Sequence, residues 1–147
     1  MGVIDFSSIE DGAQVTIDTA PLIYLFENNA AFLKYYLPLF ERIEAGEIHG
    51  VLSVVTLAEV LAGPLKAGNE ILADRYYRLL TNSIHWRIED MNAELAFVAS
   101  RIRANHNLKL PDAIQVATAI YSGSVGLVTH DRDFAEVKEI RIWGQFT

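Results

Sequence analysis

Five acidic side chains occupy positions from which they could act together: Asp18, Glu59, Asp112, Asp131 and Asp133. Asp18 closes the β-branched run Val15-Thr16-Ile17, and Asp131 and Asp133 follow the run Leu127-Val128-Thr129. Asp112 stands directly after Pro111, where a helix is expected to begin, because the fixed φ of proline suits the first turn and its missing N–H costs nothing there. Glu59 falls one turn into the helix expected after the run that ends at Ser53. Taken singly, Asp18 and Asp131 are equally helix caps or turn formers, and Asp112 is equally a first-turn acid favoured by the helix dipole. On its own, Glu59 reads first as a solvent-facing glutamate, and Asp133 as a solvated turn residue. Taken jointly they sit at strand ends and helix starts, which in a parallel α/β fold share one edge of the sheet. Carboxylates gathered at one edge repel unless a cation neutralises them or protons are retained. Without cysteine or paired histidines nearby, such an all-oxygen set suits Mg²⁺ or Mn²⁺ rather than zinc.

The elements that must position these acids alternate along the chain. Strands are expected at residues 14–17, 48–53, 84–88, 125–129 and 139–143. A short helix over 22–27 is opened by Pro21, and a longer one over about 31–45 contains Pro38, which predicts a kink or a split. The helix after Ser53 runs toward Leu65 with Gly63-Pro64 interrupting it and Gly68 ending it. Asn69 caps a helix over 70–81 with apolar positions Ile71, Leu72, Tyr76, Leu79 and Leu80. Asn92 caps another, from 93 to about 104, with a core stripe at Leu95, Phe97, Val98 and Ile102. Residues 113–120 are apolar on nearly every face and read as a buried layer. Strands alternating with helices throughout argue a parallel sheet covered by helices on both faces.

Composition sets the outer bounds. The 147 residues are most simply one domain, 1–147, with residues 1–13 a polar N-terminal arm. No apolar run approaches the roughly 18 residues that span a bilayer, and the first 13 lack the basic and apolar regions of a signal peptide, so a cytoplasmic protein is expected. The net charge of −7 weighs against a nucleic-acid partner. Setting the five candidate acids aside leaves 14 acidic against 12 basic residues, and that objection weakens. Arg101, Arg103, His106 and Lys109 crowd the approach to Asp112, a cationic helix end or a landing place for a phosphate backbone. His130 reads as structural, and Trp86 and Trp143 as core or interface residues.

Four segments carry a resemblance: Val15-Thr16-Ile17-Asp18-Thr19; residues 53–60, which contain Glu59; Leu110-Pro111-Asp112-Ala113 and on to Ala119; and residues 127–134, which contain Asp131 and Asp133. In this order they resemble the PIN-domain family, most of all the VapC-type toxin ribonucleases of toxin–antitoxin pairs. The resemblance spans about residues 15–143 and implies a three-layer α/β/α sandwich with a central parallel sheet. It implies a Mg²⁺- or Mn²⁺-dependent endoribonuclease whose catalytic, metal-holding acids are Asp18, Glu59, Asp112 and Asp131, with Asp18 and Asp112 the main direct ligands. Asp133, Thr19 and Thr129 would assist around them, and Arg101, Arg103 and Lys109 would meet RNA. It also implies a cognate antitoxin and a homodimer, and the apolar surface near Ile23, Phe26, Tyr35 and Tyr36 is a docking groove for the first or a contact of the second. Two departures stand out: about 13 residues precede the first strand, and the last segment has two acids. The rival readings are an RNA-processing nuclease without antitoxin, a silent PIN-like binding module, and a receiver-type phosphoryl-transfer domain. The receiver lacks support, because Asp18 has no acidic neighbour and Lys138 lies beyond the turn.

Overall fold

The structure, a computed structural model, describes residues 4–144. Among the described residues the strands are β1 (Gln14–Ile17), β2 (His49–Ser53), β3 (Trp86–Glu89), β4 (Gly126–Thr129) and β5 (Arg141–Gly144). The helices are α1 (Thr19–Phe26), α2 (Leu37–Glu44), α3 (Val54–Lys66), α4 (Glu70–Asn82), α5 (Ala93–Asn105) and α6 (Leu110–Tyr121). All strand pairs are parallel, in the order β3-β2-β1-β4-β5. The expected three-layer α/β architecture is therefore present.

Strand periodicity divides the interior in two. Val128 faces a core built with Val15, Ile17, Leu22, Tyr36, Leu39 and Ile43. Its neighbour Leu127 faces the opposite layer, with Ala113, Val116, Ala119, Ile102 and Phe134. Successive side chains of a strand point to opposite faces, so one chain segment serves both layers. The helix expected to be buried is so: Ala113, Val116, Ala117, Thr118 and Ala119 of α6 are fully shielded. Its small residues let it lie close against β1, β2 and β4.

Several boundaries differ from expectation for local reasons. The segment over 31–45 begins its α-helix only at Leu37, preceded by a 3₁₀ turn at Leu33–Tyr35. The Asn29 side chain takes the N–H groups of Ala31 and Phe32 at 2.9 and 3.0 Å, and Pro38, at the start of α2, fits only a first turn. Conversely, α3 runs unbroken through Pro64, because a proline in the last turn forfeits one hydrogen bond near an end that closes anyway. That end closes at Gly68, in the left-handed region at φ +73°. Phe97 is 62% exposed and Ile71 79%, so neither belongs to the stripe assigned to it. Leu95, Ala99 and Ile102 carry the buried face of α5 instead, three- and four-residue spacings that place them on one side.

The N-terminal arm packs on the sheet. Phe6 and Ile9 join the first core, and Arg42 of α2 donates to the carbonyls of Phe6 and Ile9 at 2.7 and 2.8 Å while pairing with Asp11 and Glu47. The first three residues of that arm lie outside the described residues.

Candidate functional site

The sheet order reverses about β1, which pairs with β2 on one side and β4 on the other. Ligand sites of open α/β sheets form at such a point, beyond the carboxyl ends of the strands. Asp18 stands there as the cap of α1, its carboxylate accepting from the Thr19 N–H. Ser53 caps α3 by accepting from the Thr56 N–H at 3.1 Å, and Asp131 caps the 3₁₀ turn Arg132–Phe134 by accepting from the Asp133 N–H. Each cap is a polar residue because a helical turn begins with unpaired N–H groups that need an acceptor. The fold thus brings the ends of β1, β2 and β4 and the start of α6 to one edge.

Around Asp18 the donors can be counted. Ser53 Oγ donates to Gln115 Oε1 at 2.6 Å, which turns the Gln115 amide nitrogen toward Asp18 Oδ1 at 2.8 Å and Thr56 Oγ1 at 2.7 Å. Thr56 and Thr19 hydroxyls meet at 3.0 Å, and Thr19 donates to Glu59 Oε1 at 2.8 Å. A hydroxyl has one proton, so Thr19, having given its own to Glu59, accepts from Thr56. Hydrogen bonds therefore run in one direction, from Ser53 through Gln115, Thr56 and Thr19 to Glu59. On the other side Thr129 Oγ1 donates to Asp18 Oδ2 at 2.7 Å and accepts from the Asp131 N–H at 3.0 Å. Thr19 and Thr129 thus hold carboxylates. Gln115 does the same for Asp18, with Ser53 and Thr56 hydrogen-bonded behind it, and sequence reading passed over all three. The available signal was a lone glutamine in the otherwise apolar body of α6.

A carboxylate oxygen from each of Asp112, Asp131 and Asp133 lies within 4.8 Å of the others. Asp112 is pushed up to about 6, first by partial burial and then by the charges of Asp18, Asp131 and Asp133, against a smaller opposing effect of Lys109. Asp18 is also raised, by burial above all, although Thr129, Thr19 and Gln115 stabilise its charged form. Glu59 adds to the pressure on Asp18. All five candidate acids are therefore coupled, Asp112, Asp131 and Asp133 most closely and Asp18 with Glu59 behind them. Hard oxygen donors in this number are the set that Mg²⁺ or Mn²⁺ takes.

Two surfaces border the acids. A cleft of about 460 Å³ is lined by Arg103, Asn107, Leu108, Lys109 and Asp133. Arg101 lies instead over the Phe97 ring, and His106 pairs with Glu139 at 2.7 Å. A groove of about 300 Å³ between α1 and the α3–α4 pair is lined by Ile23, Phe26, Glu59, Val60, Leu72 and Tyr76, among others. The four residues grouped from sequence as one apolar surface are divided. Ile23 and Phe26 line this groove, Tyr35 stacks near His130, and Tyr36 is wholly buried.

The sequence profile described as PIN domain matches residues 15–140. No curated protein sequence matches the chain. Among solved structures, a toxin–antitoxin complex from Klebsiella pneumoniae contains a chain 27% identical, with a TM-score of 0.67 over 86% of this chain and 95% of that one. A VapBC complex from Rickettsia felis bound to promoter DNA is similar at 16% identity and a TM-score of 0.71, covering 90% and 99%. The Mycobacterium tuberculosis toxin VapC20, described as cleaving the sarcin–ricin loop, is similar at 17% and 0.65, covering 88% and 98%. At these last two identities the likeness speaks of fold alone. Among the described residues no helix is long and apolar enough to cross a membrane.

Proposed function

We propose, from the premise that this chain belongs to the PIN-domain family, that it is a divalent-cation-dependent endoribonuclease and the toxin of a toxin–antitoxin pair. The observation that carries this reading is the gathering of Asp112, Asp131 and Asp133 within 4.8 Å, with the Asp18 charge acting on Asp112 and the Glu59 charge on Asp18. An acid edge of this kind costs folding energy unless it is used, since like charges resist a shared site.

Asp18 and Asp112 would hold the cation directly, with Glu59 and Asp131 completing its surroundings and Asp133 assisting. When bound, Mg²⁺ or Mn²⁺ supplies Lewis acidity toward a phosphodiester oxygen and toward water. The residues of the chain do the rest. The Gln115 and Thr129 hydrogen bonds fix both Asp18 oxygens, so the carboxylate cannot swing away as substrate arrives. Glu59, exposed and anchored at Oε1 by Thr19, is the group we assign to accept the proton of the attacking water. Arg103 and Lys109, in the cleft that reaches Asp133, would receive a flanking phosphate. The groove at Ile23, Phe26, Leu72 and Tyr76 is apolar and adjoins Glu59, which suits an antitoxin segment that covers the site. The likeness to a chain of a toxin–antitoxin complex at 27% identity supports that partner.

The test is cleavage of labelled RNA with Mg²⁺ or Mn²⁺ by wild type, Asp18→Asn and Asp112→Asn. Cleavage that needs the cation and is lost in both folded variants is expected; undiminished cleavage by both would overturn the assignment. For the toxin role, growth arrest on expression, relieved by a short protein from the adjacent reading frame, is expected.

A further inference from the structure

His130, immediately before Asp131, is surrounded by rings from two other parts of the chain. Phe32 lies 5.0 Å away centre to centre, Tyr24 5.4 Å, Tyr36 5.7 Å and Tyr35 6.4 Å. Tyr36 is buried and serves as the fixed post of the group. Its hydroxyl lies 3.2 Å from the Thr129 carbonyl and 2.6 Å from His130 Nδ1. The remaining rings sit at the edge of the core, Tyr24 and Tyr35 packed against it. Phe32 is 36% exposed, and Tyr24, Tyr35 and His130 are half-buried. They are also held in place: the Asn29 side chain caps the backbone at Phe32, and Asn29 donates its own N–H to the Tyr24 carbonyl at 2.9 Å. Contiguous aromatic surface kept rigid at the mouth of a site marks an interaction surface.

Charge distinguishes this wall from the groove on the other side of α1. The groove carries Glu27 and Glu59, which repel a phosphate chain. The wall carries Lys34, its ammonium 5.3 Å from the Tyr35 ring centre, and no acid among its own members. Rings and a cation without carboxylates suit a base with a phosphate attached. Thr129, the residue whose carbonyl faces Tyr36, is the one that donates to Asp18, so the wall and the acids share a backbone segment.

We propose that Tyr24, Phe32, Tyr35 and His130 form a nucleobase-stacking subsite that seats one unpaired base beside the phosphodiester to be cut. This rests on the ribonuclease reading and adds to it a residue-level basis for positioning substrate.

The experiment combines protein and RNA changes. Wild type, Phe32→Ala, Tyr35→Ala and Phe32→Trp are assayed on an oligonucleotide with a mapped cut. They are also assayed on versions carrying an abasic nucleotide on either side of that cut. Removing one stacking partner is expected to raise KM about tenfold, with kcat less affected. Phe32→Ala should add nothing to the loss caused by the abasic nucleotide at one of the two positions, and Phe32→Trp should restore intact-RNA binding. Circular dichroism checks that the variants fold. If the two losses multiply at both positions, or the Ala variants cleave intact RNA as well as wild type, the subsite is refuted and the wall belongs to a protein partner. If wild type cleaves no RNA with either cation, the ribonuclease reading itself falls.

Discussion

Asp112→Asn removes one negative charge from a trio whose oxygens lie within 4.8 Å of one another. In the folded protein the Asp112 carboxyl is raised from 3.8 to about 6. Above pH 6 the folded state therefore carries a charge it resists, a penalty of about 3 kcal/mol before screening. Asp112 is only half-buried, and solvent screening reduces this to about 1–2 kcal/mol. The sign follows from proton counting. Below pH 3.8 both states are protonated and the group contributes nothing. Between 3.8 and about 6 the folded state keeps a proton that the unfolded chain has lost, so stability falls as pH rises. The asparagine variant escapes this cost. In EDTA at pH 7.5 it should unfold in urea with about 1–2 kcal/mol more stability than wild type, or a midpoint higher by a few degrees on heating. At pH 5 the advantage should shrink. Adding Mn²⁺ should reverse the order, because a ligand bound only by the folded state stabilises it and the variant has lost a donor. A variant no more stable than wild type in EDTA at pH 7.5, or an advantage unchanged at pH 5, would refute the reasoning.

Three further substitutions probe the supports of the site and fold. Gln115→Leu deprives Ser53, Thr56 and Asp18 of buried partners. Urea unfolding should show a loss of about 2–4 kcal/mol, and Mn²⁺ titration should show weaker binding. Arg42→Ala releases the arm from its carbonyl contacts at Phe6 and Ile9; limited proteolysis should then cut within residues 4–12 sooner than in wild type, at a stability cost of about 2 kcal/mol. Gly126→Ala places a Cβ into the Trp143 ring and within 2.7 Å of the Arg141 carbonyl. It should cost about 1–3 kcal/mol, with amide exchange accelerated first in β5, since that strand must move to make room.

Much of this architecture is legible in the residues because local and global preferences agree. Pro111 opening α6, Asn69 and Asn92 capping α4 and α5, and β-branched runs ending in acids all act through neighbouring backbone. The surviving errors are tertiary. Phe97 and Ile71 fit a helical stripe by spacing, yet their helices present other faces to the interior. Tyr36 reads as a surface aromatic, yet it lies wholly inside with its hydroxyl satisfied by Thr129 and His130. Pro64 looks like a break, yet the last turn of a helix tolerates it.

The same division holds at the site. Residue types alone indicate hard oxygen donors at strand ends, and a parallel sheet places strand ends together, so Asp18, Glu59, Asp112, Asp131 and Asp133 could be named as a set. Their grouping within the set could not. That Asp133 joins Asp112 and Asp131, that Glu59 is tied to Asp18 through Thr19, and that Gln115 holds Asp18 all depend on distances between segments separated by about twenty to about a hundred residues. Periodicity along a chain reports which face a residue takes within its own element. Which atoms then meet is decided when separate elements pack, and no local pattern contains that information.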